Sequence, residues 1–133
     1  LRKPYKRWRA RRRLADEYAS LQHQLTQLQS QNLAADAYVA RVNALWRNYI
    51  GNAWGVPLHA LSTRELARVL AAARLDAHTA GLPPTDALLH LAKLEDDMHY
   101  AQRRHSANEV MAHLPALQPV LNHAYTLNLS RIQ

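Results

Sequence analysis

YVARVNALWRNYI, residues 38–50, is the stretch that decides the fold. Its apolar side chains recur at three- and four-residue spacings: Tyr38, Val42, Leu45, Trp46, Tyr49 and Ile50. This is the spacing of one face of an α-helix, and a face so broad and aromatic has to be covered by other elements. We therefore predict a central helix from Leu33 to Ile50, with Gly51 supplying the left-handed residue that ends it.

Helical patterns continue on both sides of this segment. Upstream, a narrow apolar stripe runs through a polar segment that has no Gly or Pro after Pro4: Leu14, Tyr18, Leu21, Leu25 and Leu28. The stripe predicts a long amphipathic helix, packed along one seam, with a break at Asn32. Downstream, Ser62 with Glu65 and Ser106 with Glu109 have the spacing of capping boxes, and each pair predicts a helix start.

Composition supports an all-helical chain. Among 133 residues, Ala and Leu dominate, Gly numbers three and Phe is absent, which favours helix over strand. The predicted fold is all-α: a compact bundle of four to five helices (33–133), preceded by the long amphipathic helix (14–32) and a basic segment (1–13). Pro115 and Pro119 are expected to end or kink the last helix. The chain has no Cys, so disulfides and thiolate metal sites are excluded.

The positive charge is confined to the first thirteen residues, which we call the basic collar. The collar holds eight of the seventeen Lys and Arg residues and no acid: Arg2, Lys3, Lys6, Arg7, Arg9, Arg11, Arg12 and Arg13. From Leu14 onward there are nine basic and ten acidic side chains, a sum of −1. The net charge of +7 is therefore a local property of one end, which predicts an anionic partner at that end.

Two partners fit the collar. Tyr5 and Trp8 stand among its basic residues, so as a nucleic-acid arm it would contact phosphates and stack on bases. As the flank of a transmembrane segment, its aromatics would lie at the interface and its cations among anionic headgroups. We favour the membrane, because the charge stops abruptly after Arg13. Leu1, in place of an initiator Met, is expected to follow a transmembrane segment upstream of residue 1.

Sites for chemistry are weakly indicated. His90, His99 and His105 lie near the acidic run Glu95–Asp97, but helical metal sites need matching ligands from several helices. Neighbouring acids on one helix point in different directions, so they form no acid–base pair. We expect no enzyme activity, no catalytic residue, no metal and no cofactor, and keep a metal-binding protein as a third hypothesis.

The remaining residues of interest belong to the bundle. Trp46, Tyr49 and Trp54 cluster within nine residues, and we interpret them as core anchors. A docking surface for protein partners is placed on the solvated sides of two helices, at Arg64, Arg68, Glu95 and Asp97.

Several short motifs occur in an order typical of one protein family. They are a helix ending in Trp46–Ile50, the turn Trp54–Pro57, a helix start at Leu61–Leu66, the element Asp96–Ala101 and the helix start Ser106–Glu109. In this order and spacing, residues 40 to 125 resemble the cytoplasmic C-terminal regions of bacterial membrane-anchored BatD-like (oxygen-tolerance) proteins.

The resemblance implies a partner role. Such proteins accompany MoxR-type AAA+ ATPases and von Willebrand factor A proteins, in systems thought to mature or remodel enzyme complexes. The expectation is a non-catalytic accessory domain on the cytoplasmic face of a bacterial inner membrane. The alternative is a small nucleic-acid-binding protein that uses the collar as its arm.

Overall fold

The protein is an all-helical bundle. The computed structural model describes the backbone of residues 2–132 and the side chains of residues 4–132. Within these limits it contains six α-helices and no strand: α1 Arg2–Ser30, α2 Ala35–Trp54, α3 Thr63–Ala73, α4 Asp86–His99, α5 Ala107–Met111 and α6 Leu114–Ser130. Short 3₁₀ turns at Leu58–Ala60 and Ala77–Thr79 join the neighbouring helices. The predicted all-α fold is confirmed.

Helix α2 forms the centre of the bundle, as its apolar pattern predicts. Tyr38, Val42, Trp46 and Ile50 are buried, and α2 packs against α1, α4, α5 and α6. The buried face of α2 is broad enough to contact helices on several sides, whereas α3 reaches the core mainly through α4. This explains why one stretch of sequence organises the whole chain.

The end of α2 differs from the prediction. The helix runs through Gly51 to Trp54, and Gly55 takes the left-handed conformation, with φ of 71°. Gly51 serves close packing instead, because a Cβ at this position would lie 2.6 Å from the Val56 carbonyl oxygen. Glycine is needed at position 51 because there is no room for a side chain, whereas Gly55 uses the backbone freedom of glycine to end the helix.

The predicted break after the first helix and the two predicted capping boxes agree with the structure. Asn32 lies in the left-handed region with φ of 54°, which confirms the break after α1. Ser62 with Glu65 and Ser106 with Glu109 both form reciprocal capping boxes, as predicted.

The proline region departs from expectation in one respect. Pro115 lies in the first turn of α6, where its missing N–H would have no partner in any case. Pro119 lies inside α6 without ending it. Because Pro119 has no N–H, α6 loses a single backbone hydrogen bond there. The buried Leu117, Val120 and Leu121 keep the helix packed on the core.

Candidate functional site

The basic collar is the first part of α1. Its six described basic side chains are all exposed: Lys6, Arg7, Arg9, Arg11, Arg12 and Arg13. The side chains of Arg2 and Lys3 lie outside the described residues. Because an α-helix turns by about 100° per residue, these cations point to all sides of the helix axis. The collar is therefore a ring of positive charge and has no single basic face.

Two aromatic side chains stand within this ring. Tyr5 and Trp8 are 59% and 56% exposed, and their ring centroids lie 6.1 Å apart in a stacked arrangement. The Arg9 guanidinium lies 5.9 Å from the centre of the Tyr5 ring. One turn further on, Arg12 contacts Asp16 at 3.8 Å. The collar thus presents exposed aromatic surface and cations on the same short length of helix.

The later part of α1 is fixed to the bundle. Leu21, Leu25 and Leu28 are buried in the core. The Gln22 amide donates a hydrogen bond of 2.7 Å to the Gln118 side-chain oxygen on α6. Tyr18 stacks on Tyr125 of α6 at a centroid distance of 4.7 Å. Since α1 is one uninterrupted helix, these contacts also fix the direction in which the collar projects from the bundle.

The aromatic residues of α2 take different positions. Trp46 is fully buried in the core, while Tyr49 and Trp54 are partly buried and pack against its edge. Tyr49 lies 5.8 Å from Tyr18, between ring centroids. Burial, the main cause, raises the pKa of Tyr49 to about 12. Trp46 and Tyr49 thus contribute to the packing between helices, and Trp54 also lines a groove at the end of α2.

A buried polar cluster, which we call the polar hub, is centred on Asn43 of α2 and includes Trp46, Leu91 and Glu95. Asn43 is buried, and its amide nitrogen donates to the Leu91 carbonyl oxygen at 3.0 Å and to a Glu95 carboxylate oxygen at 2.7 Å. Its own amide oxygen accepts a hydrogen bond of 2.7 Å from the Trp46 indole N–H. One side chain therefore satisfies polar groups on two helices.

A polar groove runs beside this hub. Arg47 donates to the carbonyl oxygens of Leu58 at 3.3 Å and Leu61 at 2.8 Å, and its guanidinium lies 5.5 Å from the centre of the Trp46 ring. Burial lowers the pKa of Arg47, and the nearby Glu95 and Asp96 carboxylates act in the opposite direction. The groove has a volume of about 940 Å³ and extends to the exposed Tyr100.

The acidic run is distributed among three contacts. Glu95 binds Asn43, Asp96 accepts a hydrogen bond from the Thr63 hydroxyl at the start of α3, and Asp97 binds His105 at 3.0 Å. The other His105 nitrogen contacts Glu109 at 2.5 Å. The hydrogen bond to Glu109 is the largest cause of a raised pKa at His105, and that to Asp97 adds to it. The run therefore joins α4 to α2, α3 and α5.

The residues predicted for partner docking separate into two groups. Arg64 and Arg68 lie one turn apart on α3 and are both exposed. Glu95 and Asp97 are partly buried and bound to Asn43 and His105, as described above. The structure thus places the two arginines together as an exposed basic pair, whereas the two acids are engaged with residues of the bundle.

In the part of the chain that the structure describes, there is no group of side chains that could act as the ligands of a metal ion. Within it, no three His, Asp or Glu side chains converge to hold an ion. His105 uses its two nitrogens on two different carboxylates. His99 packs edge-on against Tyr100, and His90 lies 5.2 Å from His113 between ring centroids.

Comparisons with known proteins add no relative. No protein-family model matches the chain, and no curated protein or solved structure is significantly similar to it. The similarity to BatD-like proteins therefore stays a prediction. Among the described helices, none is long and apolar enough to cross a membrane.

The structural roles of two residues, Asn43 and His105, were not predicted from the sequence, although His105 was considered there as a metal ligand. Asn43 falls on the apolar face of α2, between Val42 and Trp46, and a polar residue at such a position is a signal that a buried partner exists. His105 carried a weaker signal: it lies four residues before Glu109, but its contact with Asp97 depends on how the loop after α4 folds back.

Proposed function

We propose that this domain contacts an anionic membrane surface through its basic collar and serves there as a non-catalytic accessory domain for protein partners. The observation that carries the proposal is the exposed ring of cations around the stacked Tyr5 and Trp8. Aromatic residues with Lys and Arg beside them are the usual composition of a helix at a lipid interface.

The arrangement of the ring favours one orientation of α1. A helix that lies flat on a bilayer keeps its cations on one face and apolar residues on the other. The collar cations point to all sides, so a flat position would bring some of them into the apolar region. An axis that rises out of the membrane lets every cation reach headgroups. This supports the collar as the place where the domain meets the bilayer.

Vesicle binding tests the membrane contact. Trp8 is the exposed tryptophan, with Trp46 fully buried and Trp54 partly buried, so its emission is expected to shift to shorter wavelength on vesicles that contain phosphatidylglycerol. Vesicles of phosphatidylcholine alone should give no shift, and added salt should weaken binding. A Trp8→Phe variant identifies the source of the signal.

A charge-matched pair of variants measures how much the collar cations contribute to vesicle binding. Each cation near an anionic surface contributes about 1 kcal/mol, so replacing Arg11, Arg12 and Arg13 together by Gln should weaken binding by about 100-fold. The control replaces Arg64, Arg68 and Arg104 by Gln, which removes the same charge from exposed positions outside the collar. Equal losses in the two variants would contradict a site at the collar.

Nucleic-acid binding is the second candidate, and the same ring of cations on a continuous helix favours it. It predicts binding of duplex or single-stranded nucleic acid near physiological salt, again lost in the collar triple variant. Binding to nucleic acid without any binding to anionic vesicles would replace the membrane proposal.

The accessory role concerns the bundle. Each carboxylate of the Glu95–Asp97 run is bound to a structural partner, which supports a non-catalytic domain. The resemblance to BatD-like proteins points to a MoxR-type AAA+ ATPase or a von Willebrand factor A protein as partner. Coexpression of the full-length protein with these two candidates tests this point, and failure to copurify with either would contradict it.

A further inference from the structure

The direction of the helices relative to the collar can be read from three contacts. Along α1, Tyr18 precedes Gln22, whereas their partners Tyr125 and Gln118 come in the reverse order along α6. The two helices are therefore antiparallel. Helix α2 is antiparallel to α1 as well, because Tyr49, near its end, lies beside Tyr18. The last turns of α2 and α6 thus lie on the collar side of this tyrosine cluster.

The last turn of α3 lies at the same end. Val69 and Ala73 of α3 line one groove of about 600 Å³ together with Trp54, Leu127 and Arg131 from the ends of α2 and α6. We call the C-terminal ends of α2, α3 and α6 the collar end of the bundle. Arg74 and Leu75 are the first two residues after α3, so they belong to this end.

The collar end lies close to the level of the interfacial aromatics. With a rise of 1.5 Å per residue, Tyr18 lies about 15 Å along α1 from Trp8. Arg131 comes six residues after Tyr125, so the antiparallel α6 brings it about 9 Å back toward the collar. For roughly antiparallel axes, Arg131 is therefore about 6 Å from the level of Trp8. The polar headgroup region of one leaflet is itself about 5–7 Å thick.

The exposed side chains at this end suit a lipid surface. Leu75 is 90% exposed, the highest value among the large apolar side chains described. Arg74 precedes it and Arg131 is exposed nearby. Two acids lie near these cations. The Asp76 carboxylate accepts a hydrogen bond of 2.8 Å from the His78 backbone N–H, which turns it toward its own 3₁₀ turn, and the exposed Asp86 lines a groove with Arg74 and Leu75. Tyr100, directly after α4, is 78% exposed. Met98 of α4 lines a groove with Ala34 and Asp36 at the start of α2, so Tyr100 lies at the end of the bundle away from the collar and provides a matched reference.

We propose that the collar end of the bundle rests on the anionic bilayer, with Leu75 inserted at the boundary of headgroups and acyl chains and with Arg74 and Arg131 on lipid phosphates. The inference rests on the proposed membrane contact of the collar and adds an orientation to it. The bundle then has one side that is covered by lipid and an opposite side, at Tyr100, that is open to protein partners.

Single-cysteine labelling tests the orientation, because the chain contains no Cys. Leu75→Cys and Tyr100→Cys proteins carry the same environment-sensitive dye and are mixed with phosphatidylglycerol vesicles. The dye at position 75 is expected to shift to shorter wavelength, and the dye at position 100 is not. Circular dichroism of each labelled protein checks that the bundle is intact.

Trp8 emission in the same samples separates the two proposals. A Trp8 shift without a shift at position 75, or with equal shifts at both labels, overturns the orientation and leaves the collar contact intact. No Trp8 shift contradicts the membrane proposal itself. As a label-free measurement, Leu75→Ser should weaken vesicle binding by about tenfold and Tyr100→Ser should leave it unchanged; equal effects would again overturn the orientation.

Discussion

Asn43→Ala is expected to be among the most damaging polar substitutions in this protein. The Asn43 side chain is 1% exposed and makes three hydrogen bonds, to Leu91, Glu95 and Trp46. Alanine removes all three and leaves the Trp46 indole N–H without a partner inside the core. The perturbation therefore combines lost bonds with the desolvation penalty of a buried donor.

The magnitude follows from the separate contributions. An unpaired buried donor costs about 1–3 kcal/mol, and a hydrogen bond to a charged group contributes about 1.5–3 kcal/mol, at the lower end here because Glu95 is only partly buried. The Leu91 carbonyl adds little, since it also lies within the ladder of α4. We expect the free energy of unfolding to fall by about 3 kcal/mol, which corresponds to a loss of about 10 °C in Tm.

Urea unfolding followed by circular dichroism measures this change. Asn48→Ala is the control, because Asn48 lies on the exposed side of the same helix and its replacement should change stability by less than about 0.5 kcal/mol. Asn43→Asp should be at least as damaging at neutral pH, because a second carboxylate would face Glu95, and should recover as the pH falls. A loss below about 1 kcal/mol for Asn43→Ala would refute the hub as described.

Three further outcomes are expected. Gly51→Ala should lower the free energy of unfolding by about 1–3 kcal/mol in urea, because the Val56 carbonyl oxygen occupies the space of the new Cβ. This loss should exceed the gain from the better helix propensity of Ala. A neutral result would contradict the close approach of Val56. Leu25→Ala should cost about 2–4 kcal/mol by the same assay, since Leu25 is buried in the seam of α1, and a cost near zero would mean that α1 does not pack there. The raised pKa of His105 means that its contribution to stability is complete below its ordinary pKa and is lost as the pH rises through the raised value. The lowered pKa of His113, caused by burial and by His90, has the opposite sign, so this histidine reduces stability as the pH falls. His105→Gln should therefore lose stability relative to wild type at low pH and His113→Gln should gain it, and both pH-dependent differences should disappear at high pH. Differences of the same sign at low pH would contradict the two assignments.

Local signals in the sequence were the most reliable guides to this fold. Both capping boxes and the break at Asn32 depend on residues within a few positions of each other, and the structure has all three. Gly51 shows the limit of such reasoning. Its role depends on the chain returning past it at Val56, and a single helix pattern contains no information about that return.

Part of the candidate site could likewise be predicted from the sequence, and part of it could not. The charge of the collar is visible in composition alone, because eight cations fall within thirteen residues. The docking residues Glu95 and Asp97 could not be judged from the sequence, because whether a carboxylate is free depends on Asn43 and His105, which reach it from other elements.

The sequence by itself determined that the chain is helical, where several helices begin, and that its positive charge belongs to one end. These properties follow from propensity, capping and spacing, which act over one or two turns. Only the tertiary structure decided that the part of α1 with these cations stays exposed, and that α2, α3 and α6 return toward it. Antiparallel packing joins residues that are far apart in the chain, such as Gln22 and Gln118, and the surface that results exists only once the helices have been brought together.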